Sequence, residues 1–168
     1  MLVSIFRLGD IYLGINIVLI REINRSSNCT PVPGSRDYIR GMLNIRGRVI
    51  TLFDLKRRLG WIDESQVDGT GGSKGYNVIL KTHDEVQVID DEMAENHCTW
   101  EDPVGLTVDG LDDVMEIDKD SILPPPANLG GISADFVQGV VEQQERLLIL
   151  LDVKHTLGVG KEAVHLNR

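Results

Sequence analysis

Two short runs dominate the hydrophobic pattern. Val49–Leu55 (VITLFDL) and Leu147–Val153 (LLILLDV) are nearly continuous apolar segments of seven residues. Seven residues are too few for a buried helix and suit a strand covered on both faces. In each run an aspartate, Asp54 or Asp152, falls where the strand ends. The basic-then-Leu-Gly ending that follows, Lys56–Gly60 in the first copy, predicts one helical turn stopped by glycine. Further strands are predicted at Val3–Leu8, Tyr12–Ile17, Tyr76–Lys81, Val86–Ile89 and Val104–Val108. Helical periodicity is scarce, and 17 glycines favour turns and bulges over long helices.

The two runs belong to a longer internal repeat. Shifted by 98 positions, YIRGMLNIRGRVITLFDLKRRLG (Tyr38–Gly60) falls without a gap on FVQGVVEQQERLLILLDVKHTLG (Phe136–Gly158). Seven positions are identical: Gly41/Gly139, Arg48/Arg146, Leu52/Leu150, Asp54/Asp152, Lys56/Lys154, Leu59/Leu157 and Gly60/Gly158. Upstream, GINIVLIREI from Gly14 is more weakly similar to GLTVDGLDDV from Gly105. The chain therefore reads as two related halves with one plan. Gly41 and Gly139 stand where each copy enters a hairpin, and residues 44–48 and 142–146 read as its polar turn. The predicted fold class is mostly β, with two small barrels of about five strands packed together.

Two linkers punctuate this plan. Residues 63–75, glycine-rich and polar, read as a mobile loop. Residues 123–131, LPPPANLGG, read as an extended connection, because three prolines remove three backbone donors.

Composition narrows the function. The 168 residues are 42% hydrophobic and 26% charged, the range of a globular domain. No run approaches the ~20 apolar residues of a membrane helix. The N-terminus lacks the pattern of a secretory leader, so a cytosolic location is expected. There the only cysteines, Cys29 and Cys98, are expected to be unpaired thiols. Net charge is −9, divided unevenly: residues 1–83 carry +5 and residues 84–168 carry −14. Asp84 to Asp118 contains 13 acidic residues and no Lys or Arg. Such a chain is a poor nucleic-acid binder, because phosphate contacts need a positive surface and base stacking needs aromatics, here 5%.

Enzymatic patterns are missing as well. The four histidines, His83, His97, His155 and His165, are scattered, and no HExxH, GxSxG or P-loop spacing occurs. Adjacent His97 and Cys98 would point to opposite sides of an extended chain and have no second pair at zinc spacing, so no metal is expected. Asp54 and Asp152 are two carboxylates of catalytic type. Their equivalence across the repeat instead predicts that each caps the following turn by accepting backbone N–H bonds.

Four blocks, FRLGDIYLGINIVLIREI, TPVPGSRDYIRGMLNIRGRVITLFDLKRRLG, VGLTVDGLDDVMEIDKDSILPPP and FVQGVVEQQERLLILLDVKHTLG, together resemble the CheW family of bacterial chemotaxis coupling proteins over about residues 3–158. The resemblance implies a single domain, residues 1–160, of two five-stranded SH3-like β-subdomains. They fall roughly at 14–80 and 104–158 with segments exchanged, and a tail follows at 161–168. It implies a non-enzymatic, cofactor-free adaptor with no small-molecule substrate. One surface would bind the regulatory domain of the histidine kinase CheA, and a groove the cytoplasmic hairpin tip of a chemoreceptor. It would thus reach the membrane only indirectly, from the cytoplasm, in receptor arrays. No receiver domain is expected, because the chain ends about ten residues after Gly158. The chain departs from the family pattern twice. Thr51 stands where proline is common, a change expected to cost turn rigidity and not the fold. Residues 84–103 form an acidic insertion where typical members make a short hairpin. The alternative reading is a non-flagellar chemosensory pathway, for example of pili, with a different partner held through that insertion.

Arg46 is the leading candidate for receptor binding. It does not recur in the repeat, where Gln144 replaces it, so the structural plan does not demand an arginine there. Asn44–Gly47 matches the family's NLRG, and a guanidinium suits a partner carboxylate. The resemblance also places Glu22 near Arg46, with a plain surface carboxylate as the competing reading. It puts Ile20, Leu111 and Val114 by the groove, with ordinary core as the competing reading. Gly41, Gly139, Asp54 and Asp152 are assigned to structure.

Overall fold

The computed structural model describes residues 1–25, 28–61, 75–96, 99–127 and 129–158. Ten strands build it: β1 (Leu2–Leu8), β2 (Ile11–Asn16), β3 (Ile20–Arg25), β4 (Ile39–Ile45), β5 (Arg48–Asp54), β6 (Tyr76–Leu80), β7 (Val104–Val108), β8 (Gly110–Glu116), β9 (Val137–Gln143) and β10 (Arg146–Leu151). The helices are short: α1 (Leu55–Arg58), α2 (His83–Ile89), α3 (Asp91–Glu95) and α4 (Val153–Leu157). The strands form two five-stranded sheets, β8-β1-β2-β10-β9 and β3-β6-β7-β5-β4. Each order is linear, so the SH3-like units are open and not closed into barrels by their strand pairing.

The repeat becomes a symmetry of these sheets. Hairpin β4–β5 matches β9–β10. The parallel pair Leu52↔Gly105 (β5–β7) matches Leu150↔Gly14 (β10–β2). The weak similarity between the segments starting at Gly14 and Gly105 therefore marks equivalent strands. Both glycines let a leucine of the parallel neighbour lie flat. A Cβ on Gly14 would sit 2.9 Å from a methyl of Leu150, and one on Gly105 would sit 2.7 Å from a methyl of Leu52. β2 is thus an early strand in the late hairpin's sheet, and β7 a late strand in the early hairpin's sheet.

The two glycines of the repeat answer a second close approach. Thr30 bridges to Met42, and Leu123 bridges to Val140, the position equivalent to Met42. The crossing backbone passes over Gly41 and Gly139. An added Cβ would meet the Thr30 carbonyl oxygen at 2.4 Å, or the Leu123 carbonyl oxygen at 2.8 Å. Asp54 and Asp152 cap the helical turns: their carboxylates accept from the amides of Arg57 (3.2 Å) and His155 (2.9 Å). Gly60 (φ 73°) and Gly158 (φ 74°) end those turns in the left-handed conformation that favours glycine. A continuous core gathers Phe53, Leu55 and Leu59 from one copy with Leu151, Val153 and Leu157 from the other.

Several expectations change. Val86–Ile89 belongs to α2, not to a strand, and Val86 alone of that stretch is buried. The segment around it folds as two helical turns, α2 and α3, that pack through Val86 and Ala94. The runs at Val49 and Leu147 stop as strands at Asp54 and Leu151, because the capping aspartates turn Leu55 and Val153 into helix. The polar turns are two residues long, not five. Arg46 (φ 50°) and Gly47 (φ 83°), and Gln144 (φ 42°) and Glu145 (φ 67°), carry the two positive φ angles of a type I′ hairpin. Thr51 lies within β5, not in a turn, and its amide donates to the Pro103 carbonyl at 3.2 Å, a bond proline could not make. Cys29 is a free thiol. Residues 63–74 of the glycine-rich loop, His97, Cys98 and the tail lie outside the described residues.

Candidate partner-binding face

The turn between β4 and β5 carries Arg46 outward. Because both central residues are left-handed, the side chain leaves the tip of the hairpin and is 75% exposed. It reaches back to β3, where Arg46 Nη2 donates to Glu22 Oε2. β3 presents Glu22 through a bulge. Ile20 pairs with Leu80 and Glu22 with Ile79, so Arg21 is the extra residue. The bulge puts Ile20 and Glu22 on opposite faces. Glu22 faces out, while Ile20 enters the core at 9% exposure, which favours its core reading over a groove contact.

A second charge cluster adjoins this pair. Glu85, on the first turn of α2, binds Arg21 on β3 and Arg48 on β5, the latter at 3.0 Å. Its other oxygen accepts from the Thr82 amide at 2.8 Å, closing a capping box at the start of α2. Burial pushes the Glu85 carboxyl up, but the Thr82 and Arg21 hydrogen bonds outweigh it and hold the group below its ordinary range. Arg21, Glu22, Arg46 and Arg48 line a shallow cavity of about 230 Å³, with buried Ile50 and Ile79 also in its wall. Sequence reasoning assigns no binding role to Glu85 or Arg21 and marks Arg48 only as a position that recurs in the repeat. The signal was present as Thr82-His-Asp-Glu85, the S/T-x-x-E spelling of a helix start.

Leu111 and Val114 stand apart, on edge strand β8 of the other sheet. A bulge sets Leu111 opposite Phe6 and Val114 opposite Ser4, two positions on one face of β1. Both are exposed, at 40% and 48%, so neither is core. They are equivalent to Ile20 and Ile23 when Gly14 is aligned with Gly105. In that alignment Asp113 replaces Glu22, and in the 98-position shift Gln144 replaces Arg46, so the ion pair has no counterpart in the second half.

The arrangement offers paired charges at the surface that a charged partner can engage. The charged groups are at the surface, where an ion pair contributes roughly 0–1 kcal/mol to stability. Among the described residues no cluster of three or more His, Cys, Asp or Glu could hold a metal ion, and no helix is long and apolar enough to cross a membrane.

Known proteins are similar to this chain over most of its length. The model of the CheW-like domain matches residues 3–159. The chemotaxis protein CheW of Treponema pallidum is 27% identical, over 94% of this chain and 81% of its own length. The protein of the same name from Klebsiella aerogenes is 26% identical, over 95% and 83%. Protein FrzA of Myxococcus xanthus is 30% identical, over 82% and 71%. The crystal structure of the scaffolding protein TtCheW from Thermoanaerobacter tengcongensis superposes with a TM-score of 0.68 and 25% identity, over 89% of this chain and 82% of that one.

Proposed function

Because the chain belongs to the family of CheW-like domains, we propose that it is a non-catalytic adaptor of chemotaxis-type signalling that binds chemoreceptors and the histidine kinase CheA. The observation that carries the residue-level reading is the exposed Glu22–Arg46 pair on a hairpin whose structural twin lacks it. An ion pair that contributes so little to stability, at a turn position that suits asparagine or glycine better than arginine, fits selection for a partner. Arg46 and Glu22 would meet the receptor's hairpin tip, and Leu111 and Val114 would supply apolar contact from β8. Relatives named for chemotaxis favour this role over a separate pathway reached through residues 84–103.

The mechanism is coupling by differential affinity. An adaptor that holds receptor and kinase together passes on a receptor's change of state only as far as its affinity differs between states. Single contacts can be weak when many copies are held together in an array at the membrane's cytoplasmic side. The test is calorimetric titration with a chemoreceptor cytoplasmic fragment and, separately, with the regulatory domain of CheA, repeated with Arg46→Ala. Loss of receptor affinity alone supports the assignment. Equal loss for both partners, or for neither, overturns the role given to Arg46.

A further inference from the structure

The acidic segment is not a separate appendage. α2 delivers Glu85 onto the face that carries Glu22 and Arg46. Three guanidiniums, Arg21, Arg46 and Arg48, line one cavity with Glu22. One carboxylate, Glu22, answers Arg46. The other two guanidiniums converge on the same oxygen, Glu85 Oε1. Arg21 and Arg48 sit on different strands of the sheet, β3 and β5, so a single side chain from α2 ties both to one point. Without Glu85 the face would hold three arginines against one carboxylate. With it the formal excess falls from two positive charges to one.

We propose that Glu85 is a positioning and charge-selecting residue of this docking face: it occupies Arg21 and Arg48 so that an acidic partner gains those two guanidiniums only by displacing it. The proposal rests on reading the face as the receptor-docking face. A bidentate guanidinium is a general carboxylate receptor. Three of them close together would attract any acidic chain, at a rate and affinity set by charge more than by shape. A carboxylate built into the protein discriminates against such partners, because they must displace Glu85 before they gain the two arginines. α2 is anchored for this task by the capping box at Thr82 and by burial of Val86.

The test uses the full chain as wild type, Glu85→Gln, Arg48→Gln and the double variant. Glutamine keeps an oxygen to accept from the Thr82 amide, so the helix start survives while the charge is lost. Two probes are titrated at low salt: a chemoreceptor cytoplasmic fragment and a poly-glutamate peptide. Glu85→Gln is expected to bind poly-glutamate at least fivefold more tightly than wild type and to bind the receptor fragment no better. The gain is expected to vanish in the double variant and to be missing in Arg48→Gln. General destabilisation would weaken both probes together and leave their ratio unchanged. An unchanged ratio, or a poly-glutamate gain that persists in the double variant, overturns the proposal. Should the receptor fragment bind none of the proteins, the receptor reading fails by itself, and the poly-glutamate arm still decides whether Glu85 selects by charge.

Discussion

Arg58 Nε donates to the carbonyl oxygen of Thr156 at 2.6 Å, and the two residues hold the same place in the two halves of the chain, 98 positions apart. Contact between equivalent positions occurs only beside the axis that relates the halves. The rings on either side agree: the Arg58 guanidinium lies 4.7 Å from Tyr38 and 4.9 Å from Phe136, again an equivalent pair. Arg58 also donates to the His155 carbonyl at 3.2 Å. One asymmetric side chain therefore satisfies the end of α4 and stacks on both copies of an aromatic position.

Arg58→Met keeps the aliphatic stem and removes these bonds. It is expected to lower stability by about 2–3 kcal/mol, combining charged hydrogen bonds with stacking on two rings. Urea unfolding would show a lower midpoint with an unchanged slope. A midpoint equal to wild type would mean that the contact contributes nothing across the axis.

Arg46→Asn separates binding from stability. The type I′ turn prefers asparagine at this position, and a non-glycine residue there costs roughly 1–2 kcal/mol unless its side chain suits the left-handed region. The ion pair lost is worth at most about 1 kcal/mol. The variant is expected to melt within a few degrees of wild type, or above it, while losing receptor affinity. A large fall in melting temperature would show that the arginine serves the fold.

Gly41→Ala and Gly139→Ala are expected to destabilise by about 1–3 kcal/mol each, the range for overpacking. Gly41 carries a second cost from its φ of 153°. Thermal unfolding should rank Gly41→Ala as the worse of the two. Gly34→Ala is a control for positive φ without crowding, since nothing lies within 4 Å of its added Cβ.

Glu85 makes the α2 clamp acid-sensitive. Its folded carboxyl lies below the ordinary value of 4.5, so its contribution to stability is fully present above that value. The contribution is lost as pH falls below 4.5 through the lowered folded value. Wild type and Glu85→Gln should therefore differ most in melting temperature near neutrality and converge below that window. A difference that stays constant down to the most acid pH tested would remove the ionic clamp as its cause.

The repeat made much of this fold legible. Continuous apolar runs, recurrent aspartates and glycines locate β5, β10, the capped turns and the crossing points, because these depend on local chemistry repeated twice. Arg46 stood out by failing to repeat. The rest depended on what a residue packs against. VQVI reads as a strand by composition, yet the capping box at Thr82 and Glu85 starts a helix before it, and Val86 alone needs burial. Ile20 and Leu111 are equivalent in sequence, but one is core and the other exposed, since the bulges in β3 and β8 turn their faces differently. Glu85 was hidden because its partners, Arg21 and Arg48, lie 64 and 37 positions away.

The placement of β2 sets the order of events during synthesis. The β1–β2 hairpin leaves the ribosome before the other eight strands, yet its parallel partner β10 and its edge partner β8 are among the last strands made. At about 5–20 residues per second, those early strands wait on the order of ten seconds with three of the five strands of their sheet missing. Nascent chains arrested before Leu151 has emerged should expose that hairpin to protease, and protection should appear only in longer ones. The other sheet, β3 to β7, is complete once Val108 has emerged, so it is the sheet of β1 and β2 that waits for the end of the chain. Its amino-terminal strands are the segment most in need of a chaperone while the rest is translated.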